Sequence, residues 1–246
     1  MDGCTLCQDR GLILQGDVAV PCRCALQKSI QQRLADSNLP RNLTSCTFAK
    51  FDFSYYSKNC LDPVKGISFY QSACRAYGAA RDFIRAFLRD PYTDGLIFTG
   101  QVGSGKTFLA CCIANALLEQ KKELLFVVVP DLLDKIRSTF DGQRQGEADL
   151  TEQDITDAAR EVPLLFLDDL GAHNYTEWTK NKLYSILNYR LNECLPTVIT
   201  TNISLEDLEG YLGRRTTSRL FQMCRPYRLL VEVDIRLIRR QAREAG

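Results

Sequence analysis

Eight residues, Gly100-Gln101-Val102-Gly103-Ser104-Gly105-Lys106-Thr107, constrain this chain more than any other stretch. They fit G-x-x-x-x-G-K-[ST], with a short apolar run, Leu96–Thr99, before them and an apolar helical pattern, Phe108–Leu118, after them. A glycine-rich loop between a strand and a helix turns successive backbone N–H groups inward, and the helix N-terminus adds partial positive charge. Together they cradle phosphate. Gly100, Gln101, Val102, Gly103, Ser104, Gly105, Lys106, Thr107 and Phe108 are therefore the expected nucleotide-binding residues. Lys106 is expected to reach the β- and γ-phosphates and Thr107 to ligate Mg²⁺, so ATP and Mg²⁺ are the expected cofactors.

Such a loop needs a sheet with its strands buried on both faces, and the chain beyond Asp94 has that pattern. Apolar runs at Gly95–Thr99, Leu124–Val129, Leu164–Leu167, Thr197–Thr200 and Leu229–Val233 alternate with helical patterns at Lys106–Lys121, Asp131–Thr139, Ile155–Arg160 and Thr176–Cys194. Continuous apolar strands between helices predict an α/β fold, a P-loop NTPase with a parallel five-stranded sheet between helices. Upstream, Ile67–Arg89 places Phe69, Ala73, Ala76, Ala80, Phe83, Ile84 and Phe87 at helical spacing. The polar stretch Asp141–Asp154, with Gly142 and Gly146, reads as a loop or short insertion.

A phosphate loop also needs a carboxylate on a neighbouring strand to hold the metal. Leu164-Leu-Phe-Leu-Asp-Asp169 provides two acids at a strand's carboxyl end, where ligands of such sheets bind. Asp168 is the expected Mg²⁺-side acid, and Asp169 is placed to orient or deprotonate the attacking water. The next strand ends Val198-Ile-Thr-Thr-Asn202, so Asn202 can contact the γ-phosphate or that water. Further on, Arg215 and Arg219 stand four apart on one helix face. One of them could act in trans on a neighbour's ATP, although spacing alone favours ordinary surface arginines. The lone His173 carries no assigned role. Trp178 and Phe221 read as core or interface packing.

The net charge of +1 over 246 residues favours no partner globally. From Gly210 to the end, however, nine arginines face three acids, a basic end that suits nucleotide or nucleic acid, or is simply a solvated helix. No apolar run approaches the roughly 20 residues that span a membrane. MDGCTLCQDRG has neither a basic n-region nor an apolar h-region, so no membrane and a cytoplasmic location are expected. Eleven cysteines then read as reduced thiols. Four of them, Cys4-x-x-Cys7 and Cys22-x-Cys24, form two close pairs. That donor set matches a tetrahedral Zn²⁺ site. An iron–sulfur cluster or a redox dithiol is the alternative. Gly11–Val20 reads as a hairpin turning at Gly16-Asp17, and Cys24–Ser37 as an amphipathic helix. A segment this short needs such a staple to fold. Residues 1–45 are thus expected to form a zinc module, and 46–246 the ATPase domain.

In this order the residues resemble the AAA+ helicase-loader ATPases of the DnaC/DnaI type, and the related IstB-like transposition helper ATPases. The likeness runs from about Thr47 to Arg240. Thr47-Phe48 and Phe51-Asp52 are similar to the family's lead-in motif, Gly95–Thr107 to its Walker A, and Leu167-Asp-Asp-Leu-Gly171 to its Walker B. Glu177-Trp178, Leu183-Tyr184, Ile186-Leu-Asn188 and Arg190 follow in the family's order. Pro196–Asn202 resembles the sensor-1 strand, and Ser218-Arg219-Leu220 the arginine-finger helix. Arg214 stands where the family carries an acid. The resemblance implies an AAA+ ATPase with Arg219 as a trans finger and no separate lid after Val233. It also implies self-association into a spiral or filament that holds a replicative DNA helicase open and places it on single-stranded DNA, with the N-terminal module docking the helicase. A helper that delivers a transposase, and a stand-alone small-molecule kinase, are the alternatives.

Overall fold

The computed structural model describes residues 4–8, 10–15, 18–22, 24–25, 45–139, 151–172 and 175–244. The expected turn Gly16-Asp17, the helix beyond Ala25, His173 and most of the loop after Thr139 lie outside them. Near the N-terminus β1 (Leu12–Gln15) and β2 (Val18–Pro21) pair antiparallel, Leu12 opposite Pro21 and Leu14 opposite Ala19.

The helix α1 (Phe69–Arg89) starts at a reciprocal cap: the Ser68 hydroxyl accepts from Gln71 N–H, and the Gln71 side chain accepts from Ser68 N–H. Then come β3 (Gly95–Thr99), α2 (Lys106–Glu119), β4 (Leu125–Val128) and α3 (Val129–Ser138), whose Pro130 sits in the first turn, where no N–H is needed. After these follow α4 (Glu152–Glu161), β5 (Leu165–Leu170), α5 (Glu177–Asn192), β6 (Thr197–Thr201), α6 (Leu208–Leu212), α7 (Arg214–Met223), β7 (Cys224–Arg228) and α8 (Ile235–Glu244).

The sheet is five-stranded and parallel throughout, in the order β4-β5-β6-β3-β7. Alternation along its strands feeds two cores. Leu125, Val127, Leu165, Leu167 and Ile199 point to the face covered by α3, α4, α5 and α7. Leu124, Phe126, Leu164, Phe166 and Val198 point to the face covered by α1 and α2. In β3, β4, β5 and β6 the apolar residues, Val128 at the end of β4 apart, are buried whichever way they point, which is why these strands read as apolar runs.

Two expectations need correcting. The fifth strand is Cys224–Arg228, not Leu229–Val233. As an edge strand paired only to β3 it tolerates Pro226 and the polar Arg225 and Arg228, while Leu229, Leu230 and Val231 are buried without strand pairing. Thr151–Asp154 is not loop but the start of α4, because Thr151 and Asp154 cap each other's backbone N–H groups. Of the two aromatics expected in core or interface packing, Trp178 packs against the core, while Phe221 is 44% exposed and stands at the surface. Among the described residues no helix is long and apolar enough to cross a membrane.

One buried cation ties the end of the sheet opposite the phosphate loop. Arg190 is wholly buried on α5. Its guanidinium donates to the carbonyls of Ala159 (3.2 Å), Arg160 (3.0 Å), Val162 (2.7 Å) and Pro196 (2.6 Å) and to the Thr197 hydroxyl (2.9 Å). It thereby closes the C-terminus of α4 and both approaches to β5 and β6. Burial pulls its pKa down to about 9, still above neutral, so it stays charged at physiological pH. Replacing it would strand these acceptors, each costing roughly 1–3 kcal/mol when buried and unpaired. Arg190→Leu is expected to lower the unfolding free energy by about 3–5 kcal/mol in urea titrations; a loss under about 1 kcal/mol would contradict this role.

Candidate functional site

The loop between β3 and α2 turns where only glycine fits. At Gly100 a Cβ would stand 1.8 Å from the Leu229 carbonyl oxygen, and at Gly103, with φ of +71°, it would strike the Asp234 carboxylate. Val102 projects into solvent, and the Gln101 side chain accepts a long bond from Val231 N–H (3.4 Å). The buried Tyr56 hydroxyl donates to the Ser104 carbonyl (2.8 Å), pinning the loop from the lead-in segment. Lys106 is 4% exposed, and its ammonium donates to the carbonyls of Gly100 (2.9 Å) and Gln101 (2.7 Å). Burial pulls it down to about 8, against the pull of Asp169 and Asp168.

Opposite stands the carboxyl end of β5. Between Leu167 and Leu170 the pairing with β6 slips, three steps on β5 against two on β6, and Asp169 takes a φ of +56°. This bulge aims two successive carboxylates at one edge. Asp168, 5% exposed, accepts from the hydroxyls of Thr107 (2.9 Å) and Thr200 (2.5 Å) through one oxygen, Oδ1. Thr200 in turn accepts from Asp169 N–H (3.0 Å). Burial pushes the Asp168 carboxyl up, and the two hydroxyls oppose that. Asn202 reaches Asp169 Oδ1 at 3.5 Å. The expected residues Lys106, Thr107, Asp168, Asp169 and Asn202 thus line one cleft of about 1190 Å³. Its oxygen donors, Thr107 and Asp168, fit Mg²⁺, a hard cation that keeps oxygen ligands.

Sequence reasoning missed several members of this cleft. Thr200 carries a signal: it is a polar residue in an otherwise apolar buried strand. Tyr56 carries none. The helix α8 is the largest omission, because its basic face read equally well as solvated. Asp234 caps it, accepting from Arg236 N–H (2.8 Å), and Ile235 N–H donates to the Gly103 carbonyl (3.1 Å). Arg239 lies between the rings of Tyr55 (5.4 Å) and Phe108 (5.8 Å). With Arg236, Arg240, Arg243 and Lys50, cations outnumber carboxylates six to three around the cleft, a field suited to a polyanion.

Two further groups lie apart. Arg219 is not among the residues lining this cleft; it rests on α5, with Nε donating to Asn188 Oδ1 (2.6 Å). The sulfurs of Cys4, Cys7, Cys22 and Cys24 all lie within 4.8 Å of one another. Cys4 and Cys22 are 3.8 Å apart, and Cys7 and Cys24 3.3 Å. Zn–S bonds of roughly 2.3 Å at tetrahedral angles separate sulfurs by roughly 3.8 Å, so this cluster is of a size to take Zn²⁺ with small shifts of its sulfurs. Backbone N–H groups of Cys7 and Leu6 pull the Cys4 thiol down to about 7, while the crowding Cys7 sulfur pushes Cys24 up to about 12. A cation among them would relieve that crowding.

Comparison with known proteins places residues 83–222, which enclose the phosphate loop, Asp168, Asn202 and Arg219, under the family model for IstB-like ATP binding protein. The replicative helicase loader DnaI of Bacillus subtilis is 26% identical over 186 residues, 75% of this chain and 53% of that protein. The replicative helicase loader DnaC of Escherichia coli K12 is 30% identical over 145 residues, 59% of this chain and 56% of that protein. This chain therefore spans little more than half the length of either. A crystal structure of the DnaC helicase loader superposes with a TM-score of 0.59 at 25% identity, covering 78% of this chain and all of that one.

The Lys106 environment makes a pH-dependent forecast. Its folded pKa lies below its unfolded value, so the ammonium is about half deprotonated near pH 8 in the free protein, and that loss relieves the burial penalty as pH rises. A bound triphosphate favours the charged form. ATP affinity measured by calorimetry is therefore expected to fall as pH rises beyond about 8, by up to about tenfold per pH unit, and Lys106→Arg is expected to flatten that decline. An unchanged slope in Lys106→Arg would assign the decline to another group.

Proposed function

Since the chain belongs to the family of IstB-like ATP-binding proteins, we propose that it is a Mg²⁺-dependent cytoplasmic ATPase that loads a replicative DNA helicase onto single-stranded DNA. The observation that carries this reading is the joining of two things in one chain. The polar residues at the heart of the nucleotide cleft, Lys106, Thr107, Asp168, Asp169 and Asn202, lie inside the family match, and proteins named replicative helicase loaders align over more than half the chain.

In this reading Lys106 and the loop N–H groups hold the triphosphate, and Thr107 and Asp168 hold Mg²⁺. Bound there, the metal would neutralise charge on the β- and γ-phosphates. Asp169 orients the attacking water or takes its proton, and Asn202, within reach of Asp169, fixes that water's position. Arg219, outside its own chain's cleft, serves a neighbouring subunit, so turnover needs assembly into a spiral or filament. Contacts to single-stranded DNA would run to the backbone and weaken with salt.

Residues 1–45 form the docking module, stapled by Zn²⁺ on Cys4, Cys7, Cys22 and Cys24, and residues 46–246 form the AAA+ ATPase domain. Support for docking comes from the hairpin itself. Leu12 and Leu14 lie on one face and are 54% and 77% exposed, and Leu6 is 70% exposed. Large apolar side chains left in water on so small a module are a partner surface rather than a core. The second reading, an ATPase that assists a transposase, shares the cleft and is favoured by the family description. The names of the two relatives favour the loader.

Capture of the replicative helicase on immobilised protein tests the proposal. The native chain is expected to hold about one Zn²⁺ and to retain the helicase in ATP. The variant Cys22→Ser/Cys24→Ser is expected to lose the metal and at least about tenfold in helicase capture, with ATP affinity kept. Equal capture by both proteins would remove the docking role. Capture of a transposase in place of the helicase would replace the loader reading with its rival.

A further inference from the structure

Arg219 is held by neutral groups only. Its guanidinium stacks on the Tyr184 ring at 4.6 Å, Nε donates to the Asn188 side-chain oxygen at 2.6 Å, and Nη1 reaches the Arg215 carbonyl at 3.5 Å. Tyr184 and Asn188 are four apart on α5, which puts ring and acceptor on the same helix face, turned to α7. Among the described residues no carboxylate pairs with Arg219, and its Nη2 makes no hydrogen bond.

This grip has a specific consequence. A guanidinium has five N–H donors in a rigid fork. Here Nε and, at 3.5 Å, one Nη1 hydrogen are engaged and one face is covered, while Nη2 keeps its donors. An aspartate in place of Asn188 would fix the arginine as firmly but cancel its charge, and a free arginine would have to give up its rotamer freedom in any encounter. A ring and an amide order the side chain and leave the whole positive charge available to phosphate. Such ordering before contact lowers the cost of reaching the productive geometry.

We propose that Tyr184 and Asn188 are positioning residues that hold Arg219 ordered and uncompensated in charge, ready to enter a neighbouring subunit's nucleotide site. The inference rests on Arg219 acting in trans. It adds that the rate this arginine contributes depends on two residues of the donating subunit that never touch the nucleotide.

Mixed assemblies test it. Asp169→Asn subunits, which present the arginine but do not turn over, are mixed with Arg219→Ala subunits, which keep an intact cleft but donate nothing. ATP turnover of the mixture reads donation alone. Placed in the Asp169→Asn partner, Tyr184→Leu, Asn188→Leu and the isosteric Asn188→Asp are each expected to cut that turnover roughly tenfold, with ATP affinity unchanged. Tyr184→Phe, which keeps the ring, should donate normally. The same substitutions in the Arg219→Ala partner should change nothing, which a general loss of folding would not reproduce. Undiminished or faster turnover with Asn188→Leu in the donor would overturn the positioning role, as would equal losses in either partner. Homogeneous Arg219→Ala hydrolysing at the unsubstituted rate would instead overturn the trans reading, and the positioning role with it.

Discussion

The site depends on a single buried carboxylate oxygen. Asp168 Oδ1 accepts from Thr107 on the phosphate-loop helix and from Thr200 on the adjacent strand, so three elements meet on one atom. Hydrogen bonds to a charged group are worth roughly 1.5–3 kcal/mol each, enough to fix the loop against the sheet edge before any ligand arrives. The arrangement also carries a penalty. Burial raises the Asp168 carboxyl, so stability falls as pH rises from its unfolded to its folded range and the buried group ionises. A cation held between Thr107 and Asp168 would offset that penalty and so would couple metal binding to the order of the loop.

Around this point the chain builds walls from distant segments. The lead-in residues pin the loop through Tyr56, and α8 docks on Gly103 through Ile235 while Asp234 fills the space a side chain would need there. Gly103 is therefore required twice over, by its positive φ and by the carboxylate beside it. Movement of the loop on nucleotide binding would be felt directly by α8 and its arginines. Arg190 serves the far end of the sheet, where α4 and the starts of β5 and β6 converge. Chemistry at one edge is thus kept apart from structural closure at the other.

Much of the fold was legible because parallel strands buried on both faces announce themselves as apolar runs, and Gly100–Thr107 and Asp168 occupy fixed places relative to those runs. The edge strand was not legible: β7 reads Cys-Arg-Pro-Tyr-Arg, and only pairing on one side makes that sequence acceptable in a sheet. The bulge at Asp168-Asp169 depends on register with β6, a non-local property that no local pattern carries. Tyr56, Ile235 and Arg239 reach the cleft through tertiary packing of segments far from it in the chain, so spacing could not reveal them. Tyr184 and Asn188 could be read as helical neighbours, but not as the support of Arg219 on a different helix.

In the proposed site Thr107 and Asp168 share a metal that completes the nucleotide cleft. The most direct measurement is an ATP titration with and without Mg²⁺ on the unsubstituted protein and on Asp168→Asn. The account predicts that Mg²⁺ tightens binding by at least about tenfold in the former and not in the latter, while affinity in excess chelator is the same for both. A full Mg²⁺ effect in Asp168→Asn would contradict it and would place the metal elsewhere.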